Sequence, residues 1–185
     1  MRGTGAGARS RPGPDGEPSV FAADEQSAVP VAVEPLARLA ELVLAAEGVR
    51  GASELTLYFV DEEAMTDLNG RFLGGEGPTD VLAFPLDAGD PVEGGRSPDA
   101  GSTGPDRRPV EAAEVPLLLG DVVVCPAVAE RNAVGRDVGY ESELALLVVH
   151  GVLHVLGMDH ADEAEAATMQ SRERELLDRF SPFPA

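Results

Sequence analysis

The sequence is poor in residues on which several protein classes depend. Its 185 residues include no tryptophan, one cysteine and three histidines, all fourteen basic residues are arginine, and aromatic residues make up only 4%. Because Cys125 is the only cysteine, an internal disulfide is impossible, and a disulfide-stabilised secreted scaffold is excluded. With so few aromatic side chains, the core has to be built from Leu, Val and Ala.

We expect neither a signal peptide nor a membrane-spanning segment. The N-terminus, MRGTGAGARSRPGPDGEPS, has arginines but lacks the apolar segment of a signal peptide. No apolar run approaches the roughly 20 residues that cross a bilayer. We therefore expect a soluble, cytoplasmic protein without a membrane partner.

The charge balance is strongly acidic. A net charge of −19 argues against general nucleic-acid binding, which normally needs a basic surface, but it is compatible with a local cleft lined by arginine. An acidic surface also raises the local concentration of cations, which favours a metal site.

Two stretches offer almost nothing to bury. Residues 1–18 are mostly Gly, Pro, Arg and Ser, and residues 87–114 repeat that composition in mid-chain. We predict a disordered N-terminal tail at 1–18 and a single domain at 19–182, interrupted by a disordered insertion at about 87–114.

Helical and strand patterns alternate through the remainder. Leu55, Leu57 and Phe59 alternate as in a half-buried strand, whereas Leu36, Leu39 and Val43 recur with helical spacing. The sequence predicts an α+β domain with a small mixed sheet of about four strands packed with about five helices. Strands are predicted at 19–23, 54–60, 79–86 and 115–125, and helices at 34–48, 61–72, 126–135, 141–156 and 162–180.

All three histidines lie in one stretch, HGVLHVLGMDH, at 150–160. The preceding residues are apolar nearly all round, which predicts a buried helix. His150 and His154 are four residues apart and therefore share one face of that helix. Gly157 is placed to end the helix in a left-handed cap, after which the chain can bring His160 back towards the pair.

This arrangement predicts a catalytic zinc site with one ion per chain. Two unpartnered buried imidazoles would each cost about 1–3 kcal/mol, and a shared metal removes that cost. Three neutral nitrogen ligands leave the fourth tetrahedral position to water, whose pKa zinc lowers to about 7. Asp159 is placed to orient a ligand imidazole by hydrogen bonding.

The histidine spacing is also that of the metzincin metalloproteases, but with one difference. Those enzymes have a general-base Glu directly after the first histidine, where this chain has Gly151. A metal-dependent peptidase or amidase is therefore the second hypothesis. A glycine in mid-helix suggests either close packing or a backbone exposed to a bulky substrate.

The pattern H-G-x-L-H-x-x-G-x-D-H instead resembles the YbeY family of endoribonucleases, bacterial rRNA maturation factors. The segments LNGRFLGGEGPTDVLAFP (68–85) and LGDVVVCP (119–126) are similar to two further motifs of that family, in the same order. The resemblance covers about residues 20–180.

The resemblance implies a zinc-dependent, single-strand-specific endoribonuclease that acts in 16S rRNA 3′-end maturation and ribosome quality control. It implies zincin-like packing of helices and sheet, with His150, His154 and His160 as metal ligands. The implied partners are single-stranded rRNA, the small ribosomal subunit and its assembly factors. A non-catalytic assembly factor with structural zinc is a further alternative function.

The insertion at 87–114 has two interpretations. It is either a tolerated surface loop or an arm that contacts RNA.

One position departs from the family. Many members have a functionally important Arg after the aromatic residue of the first motif, where this chain has Leu73. Arg71 is the candidate replacement as a catalytic or substrate-binding residue, or else an exposed charge. Thr79 and Asp80 either contact substrate or cap a turn.

Two further features have simpler interpretations. Cys125 is either a fourth metal ligand or a buried core residue, and we favour the core residue. The Glu and Arg pairs of the last helix are interpreted as a solvent-exposed face.

Overall fold

The computed structural model describes residues 8–9, 17–86, 116–158 and 162–183. The predicted tail at 1–18 and insertion at 87–114 fall largely outside this part of the chain and stay predictions. The described elements, in chain order, are β1 (Ala8–Arg9), β2 (Ser19–Asp24), α1 (Val33–Ala46), β3 (Ser53–Phe59), α2 (Glu62–Phe72), β4 (Val81–Pro85), β5 (Leu117–Val124), α3 (Pro126–Arg136), α4 (Tyr140–Val155) and α5 (Glu163–Phe180).

The strands form one mixed sheet in the order β1-β2-β3-β5-β4. Strands β2, β3 and β5 are parallel, whereas β4 pairs antiparallel with β5, and the two-residue β1 pairs antiparallel with β2. Four strands of five residues or more and five helices confirm the predicted α+β class. β4 is thereby an edge strand of the described sheet, and it lies beside the helix that carries the histidines.

The two faces of the sheet contribute to different clusters. Val122 and Val124 of β5 join the main core with α1, α4 and α5, whereas Val123 between them faces the other way. This follows from the alternation of side chains along a strand. On the second face, Val123 packs with Met65 of α2 and with Cys125.

Helix α4 is buried along most of its length, as its nearly continuous apolar sequence predicts. It contacts α1, α3 and α5 as well as strands β4 and β5. Among the described residues, no single helix is both long enough and apolar enough to cross a membrane. In the described part of the chain, only α3 and α4 together reach that length and composition, and they are bent by 115° where they meet.

Candidate metal centre

The end of α4 positions the two described histidines. His150 and His154 lie one turn apart, and both are partly exposed although the residues around them are buried. Gly157 has a φ of +88°, so the predicted left-handed cap is confirmed. Its N–H donates to the His154 carbonyl at 2.9 Å, and the Met158 N–H donates to the Leu153 carbonyl at 3.0 Å. This pair of hydrogen bonds is a Schellman motif, which ends the helix directly after His154.

The imidazole nitrogens of the two histidines converge. Nε2 of His150 and Nε2 of His154 are 3.1 Å apart, with ring centroids at 4.5 Å and ring planes at 74°. Two nitrogens bound to one tetrahedral zinc at about 2.05 Å would be about 3.3 Å apart. The pair therefore fits two corners of a zinc site with little rearrangement.

A buried carboxylate fixes the orientation of the first histidine. Nδ1 of His150 lies 2.7 Å from Oε1 of Glu173 on α5, and Glu173 is only 7% exposed. An ionised carboxylate accepts the Nδ1–H, which leaves the lone pair of Nε2 directed towards His154. Carboxylate-to-histidine hydrogen bonds of this kind orient metal-binding imidazoles and raise their basicity.

Glu173 corrects the interpretation of the last helix. We interpreted the Glu and Arg pairs of α5 as a solvent-exposed face, but Glu173 is buried between Met169 and Leu176 on the inner face. The spacing of these three residues is the signal that could have revealed it, because positions i, i+4 and i+7 form one helical stripe. An acidic residue within an apolar stripe indicates a buried partner.

Two recesses border His150. The first, here called the aromatic recess, has a volume of about 780 Å³ and includes Phe72, Phe84 and both histidines among its lining residues. The second, the arginine recess, has a volume of about 510 Å³ and includes Arg136 and Glu173. Since Asp80, Val81 and His150 line both, the two recesses adjoin at His150, and together they are here called the groove.

Thr79 and Asp80, the further candidates for substrate binding, line the aromatic recess. The Asp80 carboxylate accepts hydrogen bonds from Nδ2 of Asn132 at 2.9 Å and from the Val81 N–H at 2.9 Å. Upstream, Nδ2 of Asn69 donates to the Gly77 carbonyl at 2.8 Å, and Asn69 is 9% exposed. These bonds hold the segment between α2 and β4 in place, so Asp80 has a structural role whether or not it contacts a ligand.

Arg71 does not lie at the groove. Its guanidinium pairs with Asp67 at 3.0 Å, and both side chains are more than 60% exposed. The same guanidinium lies over the Phe72 ring, 5.7 Å from its centroid. Leu73, which follows Phe72, is 69% exposed and lines the aromatic recess. The structure thus places the apolar Leu73 in the lining of the aromatic recess, whereas Arg71 contacts the lining residue Phe72 without lining the recess itself.

Cys125 is a core residue. It is fully buried in the second cluster and lines neither recess. Burial raises the pKa of its thiol, which disfavours the thiolate that a metal ligand requires. A closed zinc site that includes Cys125 therefore has no support among the described residues.

Gly151 is needed for close packing of α4 on the sheet. A Cβ at this position would lie 2.5 Å from Cγ1 of Val122 and 3.3 Å from Cγ2 of Val81. The backbone of α4 therefore approaches β4 and β5 more closely than any other residue would allow. Of the two explanations for this mid-helix glycine, the structure supports close packing.

Replacing Gly151 with Ala is expected to lower the free energy of unfolding by about 1–2 kcal/mol, because overpacking outweighs the gain in helix propensity. Gly135 on α3 is the matched control, since a Cβ there meets nothing within 4 Å. Gly135→Ala should raise the free energy of unfolding by about 0.5–1 kcal/mol. Urea denaturation followed by circular dichroism measures both, and equal stability of the two variants would contradict the packing argument.

The other two residues of the predicted centre, Asp159 and His160, lie outside the described residues. Within the described part of the chain, no group of three or more His, Cys, Asp or Glu side chains is arranged to hold a metal. The described structure therefore provides two converging nitrogens and an orienting carboxylate, and the three-histidine site stays a prediction.

Comparison with known proteins identifies a family to which the chain is similar. A family model described as Endoribonuclease YbeY matches residues 21–181. The Endoribonuclease YbeY of Thermobifida fusca is 42% identical over 152 residues, which cover 82% of this chain and 88% of the relative. That of Frankia casuarinae is 42% identical over 159 residues, covering 86% and 73%, respectively. The solution structure of TM1509 from Thermotoga maritima matches 87% of this chain and 89% of its own, with 22% identity and a TM-score of 0.47.

Proposed function

The chain belongs to the YbeY family of endoribonucleases, and we propose that it cleaves single-stranded RNA in the groove that contains His150 and His154. The observation that carries this proposal is the convergence of the two Nε2 atoms at 3.1 Å, with the second nitrogen of His150 held by Glu173. We further propose that the substrate is the 3′ end of 16S rRNA in the cytoplasm, with the small ribosomal subunit and its assembly factors as partners. The sequence motifs shared with the family support this part.

The residues proposed to hold one zinc ion are His150, His154 and His160. When bound, zinc supplies a Lewis acid that stabilises charge on a phosphodiester and lowers the pKa of water. The protein itself orients the imidazole of His150. Because Glu173 accepts the Nδ1–H of His150, the imidazole stays in the tautomer whose Nε2 can donate its lone pair.

The aromatic recess favours unpaired RNA. Phe72 is 57% exposed and packs edge-to-face against Phe84, with ring centroids 5.0 Å apart. Exposed aromatic rings stack on bases, but in a duplex the bases already stack on each other and their faces are hidden. A strand that reaches the histidines across this recess can therefore use stacking only when it is single-stranded.

Cleavage of single-stranded RNA tests the proposal directly. The zinc-loaded protein is incubated with an oligoribonucleotide that spans the 3′ end of 16S rRNA, alone or annealed to its complement. We expect cleavage of the single strand, much slower cleavage of the duplex, and loss of both after chelation and dialysis. Re-addition of zinc should restore cleavage.

A different outcome would point to another function. If zinc is bound stoichiometrically and the single strand stays intact, the nuclease proposal fails and an assembly factor becomes the better hypothesis. Cleavage that survives complete removal of the metal would instead overturn the assigned site.

A further inference from the structure

Because this protein is acidic, an RNA strand in the groove needs a cationic side chain that contacts its backbone phosphates. Zinc neutralises charge only at the histidines, whereas a bound strand places further phosphates along the groove. The chain contains no lysine, and the apolar Leu73 lines the aromatic recess. Among the described residues that line the two recesses, Arg136 is the only arginine.

Arg136 is held in place by a buried carboxylate. It is the last residue of α3, and its Nη1 donates to Oε1 and Oε2 of Glu143 at 2.9 and 3.1 Å. The Glu143 side chain is 1% exposed, whereas that of Arg136 is 54% exposed. Since an ionised buried carboxylate requires its partner, the guanidinium is fixed before any ligand arrives.

The rest of the guanidinium is available to a ligand. Both recorded hydrogen bonds of Arg136 use Nη1, and neither Nε nor Nη2 bonds to another residue in the described part of the chain. Two parallel N–H donors on a planar fork match two oxygens of a phosphate group. The carboxylates that also line the arginine recess are already engaged, Asp80 by Asn132 and Glu173 by His150.

We propose that Arg136 binds a backbone phosphate of the RNA strand in the recess next to His150. This inference rests on the proposed RNA cleavage. It assigns Arg136 a substrate-binding role in the arginine recess, separate from the aromatic recess that contains Phe72 and Leu73. In this arrangement, Arg136 lines one recess and the rings of Phe72 and Phe84 line the other. His150 lies where the two recesses adjoin.

Two variants separate phosphate binding from stabilisation of Glu143. Arg136→Met removes the cation but leaves Glu143 buried without its partner, and the protein is expected to lose stability. Arg136→Met combined with Glu143→Met replaces the whole pair with apolar side chains, which generally preserves folding. The matched control is Arg131→Met on the same helix, because Arg131 pairs with Glu62 on the surface and lines neither recess.

The measurements are KM and kcat of the zinc-loaded full-length chain, and the Kd of a labelled single-stranded RNA in chelator at several salt concentrations. In both Arg136 variants we expect KM and Kd to rise about tenfold. The slope of log Kd against log salt should fall by about 0.7, the value for one phosphate contact on a single strand. Arg131→Met should behave like the wild type.

Each alternative outcome is distinct. If the double variant regains wild-type Kd and salt slope, Arg136 only partners Glu143, and the inference is overturned while the nuclease proposal stands. If the wild-type chain neither binds nor cleaves single-stranded RNA, the proposed function fails, and the inference fails with it.

Discussion

Replacing His154 with Ala is expected to abolish zinc binding and RNA cleavage together. The substitution removes one of two nitrogens that converge at 3.1 Å, so any metal held there loses a direct ligand. Loss of a residue that merely orients a ligand costs about 10–100-fold in metal affinity or activity, so loss of the ligand itself should exceed 100-fold. The fold should survive, because His154 is partly exposed and its side chain is not part of the main core.

The measurement is zinc content by elemental analysis after dialysis, together with cleavage of the single-stranded 16S 3′-end RNA. Glu141→Ala is the matched control, because Glu141 is exposed in the first turn of the same helix. It should retain both zinc and activity. Wild-type zinc stoichiometry in His154→Ala would show that the metal is bound elsewhere and would remove the basis of the proposed mechanism.

The local structure around the histidines could be predicted from sequence because it depends on near neighbours. The apolar run before His150 predicts a buried helix, the i, i+4 spacing places His150 and His154 on one face, and Gly157 ends that helix. Each inference uses interactions within two turns, and the structure confirms the helix and its cap. The α+β class follows in the same way from alternating periodicities.

The residues that sequence reasoning missed depend on contacts between distant segments. Glu173 reaches His150 across 23 positions, and nothing local distinguishes it from the exposed Glu175 except the apolar stripe on which it lies. Arg136 joins the groove only because α3 and α4 meet at a sharp bend. Arg71 illustrates the opposite case, since it pairs locally with Asp67 one turn away and lines neither recess.

The reason for a glycine at position 151 can be examined only in the tertiary structure. Sequence alone indicates that a mid-helix glycine has a reason, but close packing and substrate access lead to the same residue. The 2.5 Å approach of a Cβ to Val122 supports close packing, and Gly151 also lines the aromatic recess. It also weakens the peptidase hypothesis, because this position is buried against the sheet and carries no general base.

Replacing Glu173 with Ala is expected to weaken zinc binding by about 10–100-fold and to reduce cleavage at limiting zinc. The substitution leaves Nδ1 of His150 without its carboxylate, so the imidazole loses both its fixed tautomer and the added basicity. Glu173→Gln should have a smaller effect, because the amide oxygen can still accept the Nδ1–H but carries no charge. Zinc affinity is therefore expected to decrease from the wild type to Glu173→Gln and then to Glu173→Ala.

Glu175→Ala is the matched control for this series. Glu175 lies two positions further along α5, pairs with Arg172, and its side chain is 62% exposed. Competition with a chromophoric chelator measures zinc Kd for all four proteins, and thermal unfolding without metal measures stability. If Glu173 only fills space in the core, Glu173→Ala lowers stability but leaves zinc Kd at the wild-type value. If Glu173 orients His150, zinc Kd rises from wild type to Glu173→Gln to Glu173→Ala. The substitutions then weaken the metal-binding imidazole rather than the stability of the fold.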